Sequence, residues 1–292
     1  MDIEKLLFVT KFEELWFDAL QSLLALKEAA LHHVVFLNVI EREKVSMRRG
    51  TGYQKTEEIK LREKANIRFI DWAENLFEQG MEVGVYIVVG SFAQQVILAA
   101  EKEGVDLIVI GHQKKGKLEQ LYSGSDVIEI ISRAATPVLV YKDMSQEGKP
   151  SDQLFERPIL ATDWSPASQR ATEYLKGMRD IVQKVSVVHV AAENALNSAS
   201  AMAVQKTRKD GRRKLEEICD ILEAEGIEAR AHVYVGDPAL EIERAAREHR
   251  ASLMLMGTSG KSTWRERWIG STPRALAEKS VFPTLLVPPE QT

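Results

Sequence analysis

Glycines at 257, 260 and 270, the last followed by Ser271 and Thr272, punctuate one polar stretch near the end of the chain. Bare glycine backbone lets N–H groups approach an anion closely, and a helix N-terminus adds its partial positive charge. The apolar run Leu253–Met256 ahead of Gly257 reads as a buried parallel strand. Ser271-Thr272-Pro273 opens a helical pattern, proline being tolerated in a first helical turn. Two glycine clusters between a strand and a helix N-terminus are what a phosphate-holding loop requires. The same loop, taken alone, also reads as an ordinary strand-to-helix connection with turn glycines, so a second feature has to decide.

That feature is Asp163, in Thr162-Asp163-Trp164-Ser165-Pro166 at the end of the apolar run from Pro158 to Thr162. In an open parallel sheet, ligands sit beyond the carboxyl ends of the strands, where the strand order reverses. Asp163 or Ser165 fits the role of a helix N-cap. An aspartate at a crevice mouth also accepts a hydrogen bond from an adenine amino group or a ribose hydroxyl, and its place opposite the glycine-clustered loop favours that second role.

Other residue types at chemical spacings fall away. Gly260-Lys261-Ser262 ends like a Walker phosphate loop, but that motif needs a glycine five residues before the Gly-Lys pair, where Leu255 stands. His32-His33 joins a helix to a strand without further ligands nearby in sequence. His189 alternates with apolar residues and reads as packed. Trp264 and Trp268 read as a local hydrophobic clasp or a partner surface. No Ser-His-Asp or Cys-His arrangement is evident, and nothing marks a general base poised for hydrolysis.

The elements that position these residues follow from the hydrophobic pattern. Strands are expected at Lys5–Thr10, His33–Ile40, Glu82–Val89, Leu107–Ile110 and Pro137–Tyr141, with helices over Phe12–Leu31, Thr56–Phe77, Ser91–Glu103 and Ser125–Ala135. A charged excursion spans Glu41–Lys55. The polar stretch from Asp143 to Glu156, with Gly148 and Pro150, reads as an interdomain linker. Strands then return at Pro158–Thr162, Val185–Val190, Glu228–Val235, Leu253–Met256 and Thr284–Val287, separated by helical stretches at Pro166–Arg179, Met202–Ala224 and Pro238–Glu248 and one after the glycine loop. Strands alternating with helices mean βαβ units and a mostly parallel sheet, an α/β class.

The repetition extends to single residues. At a constant offset of 146, Gly90 meets Gly236, Gly111 meets Gly257, Gly124-Ser125 meets Gly270-Ser271, and Pro137 meets Pro283. Such agreement without gaps marks an internal duplication. Two domains result, 1–142 and 157–292, joined by 143–156.

Composition sets the outer bounds. The chain has 292 residues, 45% hydrophobic and 28% charged, the balance of a soluble globular protein, and a net charge of −4 that offers no footprint for nucleic acid or membrane. The single Cys219 excludes an intrachain disulfide and fits a reducing compartment. The N-terminus lacks the pattern of a signal peptide, and no apolar run approaches the ~20 residues of a bilayer span. The expected location is cytoplasmic.

Asp163, the Gly257-x2-Gly260-x9-Gly270-Ser271 spacing and two α/β domains in tandem resemble the universal stress protein family, over nearly the whole chain. The resemblance implies a strand order of 3-2-1-4-5 in each domain and a regulatory or stress-protective protein rather than an enzyme, with slow ATP hydrolysis left open. It implies an adenine nucleotide, ATP or AMP, in the second domain, with Mg as a companion of ATP. Carried over, Ala161, Thr162 and Asp163 would lie at the adenosine moiety, and Val190 would meet adenine through its backbone. Met256 and Gly257 would line the ribose, Ser259 and Gly260 the near phosphates, and Gly270, Ser271 and Thr272 a phosphate at the helix N-terminus. Pro273 departs from the family pattern and lacks an N–H. In the first half Lys11 takes the place of Asp163 and Lys114 that of Gly260. A lysine only donates, so that pocket reads as degenerate; the rival is an anion gripped by Lys114, Lys115 and Lys117. The resemblance also implies that the two halves pair through their last strands as an intramolecular pseudo-dimer, further homo-dimerisation being possible. An ATP-hydrolysing or nucleotidyl-transferring enzyme of related fold is the alternative, because fold alone does not decide activity.

Overall fold

Strand segments such as Leu6-Leu7-Phe8-Val9 are apolar on both faces, and in the computed structural model all four of these side chains are fully buried. Such strands must lie inside a sheet covered on both sides. The structure describes residues 2–11, 17–46, 52–111, 124–142, 153–192, 201–259 and 269–290. In chain order the first half contains β1 (Lys5–Val9), α1 (Phe17–Leu23), β2 (His33–Glu41), α2 (Arg42–Val45), α3 (Lys55–Glu78), β3 (Glu82–Gly90), α4 (Phe92–Glu103), β4 (Leu107–Gly111), α5 (Gly124–Arg133) and β5 (Val138–Tyr141). The second contains β6 (Pro158–Ala161), α6 (Pro166–Lys176), β7 (Lys184–Ala192), α7 (Ala201–Ala224), β8 (Glu228–Gly236), α8 (Pro238–Glu248), β9 (Leu253–Gly257), α9 (Ser271–Lys279) and β10 (Thr284–Val287).

All these strands join one ten-stranded sheet, ordered β3-β2-β1-β4-β5-β10-β9-β6-β7-β8. Each half has the order 3-2-1-4-5, the second running in the opposite direction across the sheet. Within each half the pairs are parallel. The halves meet through β5 and β10, which pair antiparallel with Thr284 opposite Val140, Leu285 opposite Leu139 and Leu286 opposite Val138. This pairing covers two apolar edges that would otherwise present unpaired backbone. Val138, Val140, Leu285 and Val287 are buried there.

Alternation along the strands sends side chains into two apolar layers, each continuous through both halves. One holds Phe8, Leu139, Leu285, Leu160 and Val187 under α1, α3, α6 and α7. The other holds Val9, Val140, Leu286, Met254 and Val188 under α4, α5, α8 and α9. Polar contacts reinforce the seam. The Lys142 ammonium, buried, donates to Leu276 O at 3.0 Å and Ser280 O at 2.8 Å, the last carbonyls of α9. Tyr174 donates its hydroxyl to Asp106 O at 2.9 Å across the same boundary.

Two stretches differ from the sequence expectation. The helix expected over Phe12–Leu31 is described from Phe17, and it tightens into a 3-10 helix at Leu24–Ala29. Leu20, Leu23, Leu26 and Ala29 are buried and recur every three residues, the period of a 3-10 helix rather than of an α-helix. Ala30, at φ 90, then turns the chain into β2. In the stretch expected as linker, Leu154 and Phe155 are buried in the core, and Glu156 O accepts from Gln183 N and Lys184 N. Burial of two large apolar side chains fastens this segment to the second half.

Candidate functional site

β6 stands at the point where strand order reverses, with β7 on one side and β9 on the other. Register sets Ala161 beside Val188 of β7 and Met256 of β9, so the carboxyl ends of the three strands open on one crevice. Thr162 extends β6 by one bond, donating its N–H to Val188 O at 2.9 Å. The chain then turns sharply. Trp164 N–H donates to Thr162 Oγ1 at 3.1 Å, Ser165 N–H donates to Asp163 Oδ1 at 3.0 Å, and Trp164 sits at φ 62. Ser165 caps α6 by accepting from Ser168 N, and Pro166 follows as its first residue. The cap therefore falls to Ser165 rather than Asp163; one Asp163 oxygen shapes the turn, and a carboxylate has a second oxygen with which to accept.

The loop after β9 is tied to this turn. Ser165 Oγ donates to Ser259 O at 3.1 Å. An alanine Cβ at Gly257 would come 2.7 Å from Ala167 C, Ala167 Cβ and Ser168 N, so the absence of a side chain lets β9 press against α6. Thr258 N–H donates to Val287 O at 2.9 Å, and Thr258 O accepts from Gly270 N–H at 2.7 Å, which brings the start of α9 back to the end of β9. Gly270 is the N-cap of α9, Ser271 is exposed and Thr272 half-buried, and Pro273 is buried. Ala161, Thr162 and Met256 are buried; Asp163, Val190, Gly257 and Ser259 are half-buried. Those of the expected site residues that are described thus converge on the carboxyl edge around β6, β7 and β9. Gly260, Trp264, Trp268, Lys114, Lys115 and Lys117 lie outside the described residues.

Several participants escaped the sequence reading. Thr258 and the Ser165–Ser259 bond join two loops by contacts no motif encodes. His189 Nδ1 lies 2.8 Å from Thr162 O; since a carbonyl only accepts, that nitrogen carries the proton. The His189 ring packs on Trp164 with centroids 3.9 Å apart, and Lys214 Nζ of α7 sits 4.8 Å from the Trp164 centroid. Trp164 is thus held among protein groups, and the α/β alternation gave no sign of the Lys214 contact.

The first half supplies an internal comparison. Thr10 N–H donates to Leu37 O at 3.0 Å and Asn38 Nδ2 to Thr10 O at 2.9 Å, matching the Thr162 and His189 contacts. Lys11 then occupies the place of Asp163. It is only 8% exposed, its ammonium lies 2.6 Å from Glu41 Oε1, and it stands 4.8 Å from the Phe92 ring centroid. An ion pair with a buried lysine and a half-buried glutamate fills the place where the second half presents a carboxylate.

The architecture, two doubly wound domains sharing a sheet through their last strands, is recognised among known proteins. The Universal stress protein family matches residues 3–142 and again 155–288. The chain belongs to that family, as a tandem of two such domains. A universal stress protein of Methanocaldococcus jannaschii is 30% identical over 153 residues, covering 48% of this chain and 94% of that protein. One from Bacillus subtilis is 25% identical over 147 residues, 46% of this chain and 99% of its own length. In fold, the crystal structure of a universal stress protein from Archaeoglobus fulgidus matches with a TM-score of 0.75 at 21% identity, spanning 99% of this chain and 98% of the other. No helix among the described residues is long and apolar enough to cross a membrane, and no group of three or more His, Cys, Asp or Glu among them is arranged to hold a metal ion.

Proposed function

We propose that the second domain binds one adenine nucleotide, ATP or AMP, and that the protein serves a regulatory or stress-protective role with the nucleotide as its ligand. The observation that carries this reading is the joining of the two half-sites. The Asp163 turn and the Thr258–Ser259 segment are bonded through Ser165, and Gly270 is bonded back to Thr258 at the N-terminus of α9. The donor chemistry fits the group. A carboxylate oxygen suits an adenosine amino or hydroxyl donor, while the Ser271 and Thr272 hydroxyls and the first N–H groups of α9 suit a phosphate. Pro273 removes one N–H from that set, so a phosphate there relies on the side chains and on the N–H groups of residues 271 and 272. Mg, where ATP is the ligand, would be held mainly by phosphate oxygens and water.

In the first domain Lys11 and Glu41 neutralise one another in the equivalent place, and we assign it no adenine nucleotide. The two domains act as a pseudo-dimer through the β5–β10 seam, in the cytoplasm.

Isothermal titration calorimetry of the full chain with ATP and with AMP tests the reading, the expected outcome being one site per chain. Asp163→Ala is expected to weaken binding by about 1–3 kcal/mol, the range for removing one partner of a buried hydrogen bond. Flat titrations at millimolar nucleotide would discard it. Phosphate released in the same samples measures whether ATP is turned over.

A further inference from the structure

α3 and α7 are the same element of the duplication, each 24 residues long and related by the offset of 146. Their buried faces agree: Ala65, Phe69 and Leu76 of α3 correspond to Gly211, Leu215 and Leu222 of α7, and all six are buried. Their outer faces do not. Ile59, Ile67, Ile70 and Phe77 are 46%, 64%, 56% and 59% exposed. The corresponding residues of α7 are Gln205, Arg213, Glu216 and Glu223, exposed and polar. A row of exposed apolar side chains along one helix face marks an interaction surface, whereas single exposed apolar residues need no explanation. The sister helix shows that the fold itself has no need of this stripe.

We propose that this face of α3 docks a second copy of the chain, α3 against α3 in antiparallel orientation about a two-fold axis near Ile67 and Ile70. Two properties point to a second copy rather than to a different partner. The stripe is nearly symmetric about its own middle: Ile59 and Phe77 stand almost equally far from the midpoint between Ile67 and Ile70. An antiparallel copy therefore sets Ile67 against Ile70 and Phe77 against Ile59, the self-complementarity an isologous contact demands. The charge is also polarised along the helix. Up to Arg68, α3 carries five basic and three acidic side chains; beyond it stand only the acidic Asp71, Glu74 and Glu78. Antiparallel pairing brings the positive half of each helix to the negative half of the other, while parallel pairing would set like on like. Glu63 and Glu74 interrupt the apolar row, so the helices cross at an angle that leaves those carboxylates at the wet rim.

Sedimentation equilibrium on the full chain tests this directly. The wild type is expected to reach twice the 32.9 kDa chain mass with a Kd in the micromolar range or tighter. Ile67→Glu with Ile70→Glu extends the acidic character of Glu216 in the sister helix to both central positions, sets like charge against like in this register, and leaves the buried face of α3 intact. It is expected to raise Kd by at least about 30-fold, the effect of losing one central anchor, without lowering the unfolding temperature. Orientation is read separately. Glu74→Lys is expected to tighten the dimer, and adding Glu63→Lys to undo the gain, because these two residues face each other across the antiparallel pair, whereas a parallel pair would set Glu74 against itself. A wild type that remains at 32.9 kDa through that range overturns the proposal and leaves the stripe to a different protein. A dimer indifferent to Ile67→Glu/Ile70→Glu overturns the surface, and a failed charge exchange overturns the antiparallel arrangement.

Discussion

The glycines at 257 and 270 are expected to fail in opposite ways when each becomes alanine. At 257 the new Cβ would lie 2.7 Å from the backbone of Ala167 and Ser168. Ordinary contacts begin near ~3.4 Å, so α6 must retreat from β9 by roughly 0.7 Å, and overpacking a tight core costs about 1–3 kcal/mol, more where backbone has to move. At about 2–4 °C per kcal/mol for a chain of this size class, Gly257→Ala should lower the unfolding temperature by roughly 5–10 °C. At 270 the nearest atoms to a new Cβ are Pro273 Cδ and Cγ at 3.4 Å, and φ is −63, which any residue adopts. Gly270→Ala should therefore cost below ~1 kcal/mol of stability. Its effect should fall on the ligand, since a methyl group at the N-cap stands where a phosphate would approach bare backbone; nucleotide affinity should drop by about 10-fold, or ~1.4 kcal/mol. Scanning calorimetry and nucleotide titration of both variants form the assay. An unchanged unfolding temperature in Gly257→Ala refutes the packing argument, and undiminished affinity in Gly270→Ala refutes the role of bare backbone at the helix start.

Three other outcomes are expected. Lys142→Met deprives Leu276 O and Ser280 O of a buried donor and should cost about 2–3 kcal/mol; a urea midpoint equal to that of the wild type would contradict it. Val140→Asp places a charge at a fully buried position of the seam and should replace one calorimetric transition by two, whereas one unaltered transition would count against the seam as the coupling element. Burial, aided by the neighbouring His249, holds His232 below the usual imidazole value of 6.5. The unfolded chain then takes up a proton where the folded chain does not, so stability falls as pH drops below 6.5 and levels off beneath the folded value. His232→Gln should flatten that slope, and equal slopes of urea midpoint against pH in the two proteins would remove His232 from the account.

Elements with a clear period were legible in the amino-acid sequence. The apolar strands, the glycines after them and the offset of 146 mark two copies of one α/β unit, because both halves solve the same packing problem with similar residues. The strand order within each came from the family resemblance. The stretch before β2 misled, since a three-residue apolar period is hard to separate from a four-residue one over so short a span. Leu154 and Phe155 were hidden in a polar neighbourhood, although two adjacent large apolar residues in a linker were a signal. At the site, the residue types Asp163, Gly257, Gly270, Ser271 and Thr272 were visible. What joins them was not: Ser165 reaching Ser259, and His189 and Lys214 holding Trp164, are contacts between distant segments set by side-chain direction. The reason for Gly257 also differs from the one its motif suggests, being the closeness of α6.

The seam between β5 and β10 has a consequence for divergence. Three residue pairs make a short contact, yet the covalent connection holds the halves at an effective concentration far above that of free chains, so the pairing persists however dilute the protein is. Two separate identical chains would meet every substitution twice, once in each copy. Fusion lifts that constraint, because each half now carries its own genetic record while still relying on the other for its covered edge. Lys11 could enter one crevice while Asp163 stayed in the other, and isoleucines could spread along α3 while α7 remained polar. The short antiparallel contact thus turns a symmetric pair into a molecule whose two sides are free to specialise.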